Sequence, residues 1–139
     1  MLAAIEDRCD AIEECYEFML GYAGKGLSGE ESGESSEVRR HLQEAAQALN
    51  GLAHVLSDVV ERQRLEPGSK YRAFLAVIDR DARDSLAAVE LVLAQQAISS
   101  QLIDNLNASI HLRALLTDLF LIDEILGAHI RHQDPLLTS

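Results

Sequence analysis

From near its N-terminus this chain places an apolar residue at every third or fourth position: Leu2, Ile5, Cys9, Ile12, Tyr16 and Met19, with Glu6, Asp7, Asp10, Glu13, Glu14 and Glu17 between them. That spacing follows the roughly 3.6-residue turn of an α-helix and cannot line one face of a strand, whose side chains alternate with period two. A helix over about 2–22 is therefore expected. A second row, Ala11, Cys15, Phe18 and Tyr22, widens its apolar face beyond a single seam, so the helix should touch two neighbours.

The same period returns three more times. Ser35 and Ser36 are suitable N-caps for a helix over 36–65, carried by Val38, Leu42, Ala45, Leu49, Leu52, Leu56 and Val59. Glu66-Pro67-Gly68-Ser69 stops it, because proline disfavours helix in the residue before it and glycine accepts the reversal. A third helix over 69–97 follows Tyr71, Leu75, Ile78, Ala82 and Val89, and a fourth over 100–131 follows Leu102, Leu106, Ile110, Leu112, Leu115, Leu119, Ile122 and Leu126. The expected fold is all-α, an antiparallel four-helix bundle forming one domain over 1–139. Between the last two helices, Gln95-Gln96-Ala97-Ile98-Ser99-Ser100-Gln101 holds neither glycine nor proline, which leaves a second architecture open: one merged helix from Ser69 to Ile130.

The stretch between the first two helices changes composition to glycine, serine and glutamate, and a mobile acidic loop is expected at about 24–35. It carries a faint likeness to a phosphate-binding loop, since Gly21 and Gly26 have the required spacing. Leu27 stands where that loop needs lysine, and no strand precedes it.

Composition limits function more than it defines it. With 139 residues and 47% hydrophobic content the chain can bury a continuous core without metals or disulfides. Its formal charge of −11 opposes phosphate backbones and anionic lipid, so neither nucleic acid nor membrane is an expected partner. The arginines at Arg39-Arg40 and at Arg62 and Arg64 lie among acids and read as mixed, solvated faces. The opening Met1-Leu2-Ala3-Ala4-Ile5-Glu6-Asp7 has no basic start or long apolar run, which points to the cytoplasm. Cys9 and Cys15, six apart on one helix, are separated by about 9 Å of rise and read as small core residues.

A carboxylate-bridged di-metal bundle needs Glu-x-x-His on two helices. The residues three before His41, His54, His111, His129 and His132 are Val38, Gly51, Ala108, Leu126 and His129. The best metal candidate is His129, His132 and Asp134, although cations before Pro135 are equally expected as a helix C-terminus. His111 shares a helical stripe with Asp104, Asn107 and Asp118, an arrangement that orients an imidazole if the face lines a cleft. No cofactor pattern and no obvious nucleophile accompany it.

By elimination the reading is a non-catalytic helical interaction module: an adaptor, chaperone or regulatory subunit working through helix faces. The alternative is a small-molecule- or metal-binding bundle, or an enzyme, whose ligands come from different helices. The fourth helix directs the first reading. Its apolar residues spread over most of its circumference, so Leu112, Leu116, Leu119, Phe120, Leu121 and Ile125 are expected at the contact of a homodimer. If His129 and His132 only complete a helix end, replacing both with Gln should cost less than about 1 kcal/mol in urea unfolding. Loss of a bound metal in the same variant, by elemental analysis, would contradict that.

Overall fold

In the computed structural model, which describes residues 2–30 and 32–133, the chain is all-α. Six helices follow one another: α1 (Leu2–Ala23), α2 (Ser32–Leu49), α3 (Leu52–Arg62), α4 (Gly68–Leu93), α5 (Ser100–Ala108) and α6 (His111–Gln133). The expected count of four is corrected because two of the four expected helices are broken. The merged alternative is also overturned, since residues 94–99 are not helical.

The first break is at Gly51, which takes φ of 78°, a left-handed conformation that costs glycine nothing. The apolar spacing Leu49, Leu52, Leu56 runs through it undisturbed, and all three side chains stay buried. The second break is at Ile110, with φ of 63°, a costly value for a β-branched residue. Here the spacing does falter, from Leu106 to Ile110 to Leu112. Ser109 caps the end of α5, its hydroxyl donating to the Leu106 carbonyl. The acidic stretch is shorter than its composition implies, because α2 already begins at Ser32.

Long-range contacts give the directions. The Arg8 guanidinium at the start of α1 donates to the carbonyls of Ala48 (2.9 Å) and Asn50 (2.7 Å) at the end of α2, so these helices are antiparallel. Arg39, early in α2, donates to the carbonyls of Leu93 and Gln95, both at 2.8 Å, at the end of α4, which therefore runs antiparallel to α2. The carbonyls at a helix end have no partner within the helix, and here a cation from a neighbouring helix supplies one. Arg39 was expected on a mixed, solvated face and is instead half-buried against the end of α4. α6 packs on both α4 and α1, and α5 packs mainly on α1.

A polar knot ties the end of α1 to the start of α5. Ser100, 2% exposed, donates its hydroxyl hydrogen to the Tyr22 carbonyl at 2.6 Å and accepts from the Leu27 amide at 2.9 Å. The Ser100 amide donates back to the Leu27 carbonyl at 2.9 Å, and the Tyr22 hydroxyl donates to the Ile98 carbonyl. Beside it Gly29, with φ of 90°, lies so close to Ile98 that a Cβ would sit 2.6 Å from its backbone. Ser100→Ala should therefore cost about 1–3 kcal/mol, the penalty for stranding buried polar groups. Gly29→Ala should destabilise by more than about 1 kcal/mol, because backbone rather than a flexible side chain must move. Urea unfolding of both variants measures this, and a neutral Ser100→Ala would remove the knot from the account of the fold.

Candidate functional site

α6 has to bury apolar surface on two sides, against α4 and against α1, which explains much of its broad stripe. Leu112, Leu115, Leu116, Leu119, Ile122 and Leu126 are all buried within the chain. Three of the six residues expected at a dimer contact, Leu112, Leu116 and Leu119, are thus core residues, and that part of the expectation is corrected. The other three stand outside: Phe120 is 55% exposed, Leu121 51% and Ile125 39%.

These three point along two flanks. Phe120 borders a shallow recess of about 280 Å³ between α1 and α6, with Tyr16, Glu13, Glu17 and Arg113 around it. Leu121 lies roughly 100° further around the helix, and Ile125 follows it one turn later, on the flank that carries Asp118. The α1 flank is strongly acidic. The Glu13 carboxyl is pushed upward by burial and then by Asp10, Glu17 and Asp123.

Asp118 lies near enough to Asp81 of α4 for the second carboxyl to affect its own. Burial raises its carboxyl from 3.8 to about 7, helped by a hydrogen bond to Asp81 and by that residue's charge. Its Oδ2 has no contact with water and no N–H or O–H donor among the described residues. Two ionised carboxylates offer each other only acceptors, whereas one shared proton turns the pair into a donor and an acceptor.

The constellation expected around His111 is not assembled. Asp104 is exposed, the break at Ile110 separates Asn107 from His111, and the carboxyl of Asp118 is affected by Asp81 of α4 instead. Asn107 has both side-chain polar atoms buried without a partner among the described residues. His129, His132 and Asp134 fall outside the residues whose side chains are described. Among the described residues no three His, Cys, Asp or Glu side chains converge to hold a metal ion. His41, which the sequence did not single out, stacks on Phe18 with ring centroids 4.4 Å apart. One further cleft, of about 380 Å³, opens at the α2–α3 break between Gly51, His54, Asp79 and Arg83.

No family model matches this chain. No curated protein and no solved structure is significantly similar to it either. No described helix is long and apolar enough to cross a membrane.

Both cysteines are free. Burial, then the charges of Asp123, Glu13, Asp10 and Glu6, pushes the Cys9 thiol up to about 11. Burial and then Glu44 push Cys15 up to about 12. Since the thiolate is the reactive form, both should resist iodoacetamide at about pH 7.5 and react promptly in urea. Rapid modification of the folded chain, read by mass spectrometry, would mean that α1 opens readily.

Proposed function

We propose that this chain is a non-catalytic helical interaction module that works through the outward face of α6, and that its partner is a second copy of itself. The observation that carries the reading is the exposure of Phe120, Leu121 and Ile125 on a helix whose opposite face is fully used by the core. Large apolar side chains grouped on one surface helix cost solubility unless something covers them.

Charge selects where a second copy meets the first. The flank with Phe120 is bordered by Glu13 and Glu17, and pairing it with itself sets carboxylates of one chain against those of the other. Leu121 and Ile125 lie on the other flank, where a two-fold axis sets apolar residues against their own copies. The cleft at the α2–α3 break supports a small-molecule reading less well, because Arg83 there is already paired with Asp79 at 3.0 Å. Adaptor, chaperone and regulatory subunit are all roles for such a module, and a cytoplasmic setting suits its free thiols.

Sedimentation equilibrium at low micromolar concentration is the direct test, with a dimer of the 15.3 kDa chain as the expected species. Leu121→Asp should give a folded monomer with unchanged helicity, because the replaced side chain is half exposed in the single chain. A wild-type chain that sediments as a monomer throughout would refute self-association.

A further inference from the structure

Along the seam between α1 and α6, apolar surface and negative charge stand side by side. Ile5 and Cys9 share a small cavity of about 100 Å³ with Leu119, Ile122 and Leu126, whereas Tyr16 and Glu17 border Arg113 and Leu116, so the two helices run antiparallel. We propose that the recess between them at Phe120 is a docking site for a basic amphipathic helix of another protein, whose apolar face covers Phe120 and Tyr16 and whose lysines or arginines meet Glu13 and Glu17. This second face is separate from the Leu121 and Ile125 flank, so either can fail without the other.

The apolar part of the recess supplies the anchor. Leu116 is buried, Tyr16 is half-buried, and the Phe120 ring beside them is left 55% exposed. At about 280 Å³ the recess falls below the range of roughly 300–1,000 Å³ that small-molecule sites occupy. It suits instead the one or two large side chains by which a helix anchors itself in a groove.

Charge selects the occupant. Glu6, Asp10, Glu13 and Glu17 recur at intervals of four, three and four, which sets them on one face of α1 over about 16 Å of rise. Asp123 of α6 adds its charge close to Glu13, whose carboxyl is pushed upward by burial and then by Asp10, Glu17 and Asp123. Among the described residues lining the recess Arg113 is the one cation, and Arg8 of α1 is committed to the Ala48 and Asn50 carbonyls. That surplus repels a second copy, anionic lipid and nucleic acid, and it attracts lysine and arginine. The faces of Tyr16 and Phe120 hold cations as well. A helix laid in the seam presents side chains three and four apart, the same spacing as the acids it meets.

The test uses the full chain and a synthetic peptide of about 18 residues built from alanine, lysine and leucine, with leucines three and four apart on one face and lysines beside them. On titration, amide NMR shifts of the wild-type chain should change around Glu13, Glu17 and Phe120, and a peptide with glutamate in place of lysine should not bind. Phe120→Ala should weaken binding about fivefold or more, and Glu13→Gln with Glu17→Gln about tenfold at low salt. Glu61→Gln with Glu90→Gln removes the same charge from exposed positions on α3 and α4 and should leave affinity within about twofold. Shifts spread over the whole acidic surface, or equal weakening by both pairs of Gln substitutions, mean attraction to net charge alone and overturn the proposal. Wild-type affinity in Phe120→Ala overturns it too, and so does a changed sedimentation of that variant alone, which puts a second copy on this flank. Should a variant lose its helicity, the shift map of the wild-type chain decides.

Discussion

Ser100 is almost sealed from water, yet every hydrogen-bonding group it carries into the interior finds a partner. Its hydroxyl joins the last turn of α1 to the loop at Leu27, its amide binds the same loop, and the Tyr22 ring reaches over it to Ile98. A bundle can tolerate a loose surface turn, but a buried polar backbone without a partner costs as much as a core cavity. The knot solves that problem for two helix ends and a loop at once, and so fixes where α5 starts relative to α1. The placement of α6 follows, because only Ser109 and Ile110 separate it from α5. Gly29 belongs to the same arrangement, since no residue with a Cβ fits against Ile98.

Helices and their buried faces were legible in the sequence because both follow from local spacing. Leu42, Leu56, Ile78 and Leu115 were placed inward by period alone, and all four are buried. Helix ends were less legible, for a physical reason. The groups that close α2 and α4 are Arg8 and Arg39, 40 and 54 residues away from the carbonyls they bind, and no local pattern carries such a contact. The break at Gly51 hid for the opposite reason: the apolar repeat continues straight through it, so the core gives no sign that the backbone has turned. At Ile110 a sign was present in the altered spacing, but a β-branched residue is the last one expected at positive φ.

The candidate site divides along the same line. A wide apolar stripe on α6 was plain to read, but a stripe serves equally for two neighbours inside the chain or for one outside it. Leu112, Leu116 and Leu119 meet the inner need, and only Phe120, Leu121 and Ile125 are left over. The carboxyl pair was half visible. Asp118 stands on a stripe with His111, while Asp81, which helps raise its carboxyl, lies on another helix, and no local spacing links the two.

The arginine caps also decide how this chain responds to its ionic surroundings. Twenty-three acids against twelve cations make a molecule that repels itself, and two of those cations are spent on neutral carbonyls at distances between 2.7 and 2.9 Å. Dissolved salt weakens repulsion between separated carboxylates, but it has little effect on contacts that leave no room for an intervening ion. A fold held by exposed ion pairs loosens in brine. This one should tighten, because added ions remove what opposes it and leave its fastenings in place.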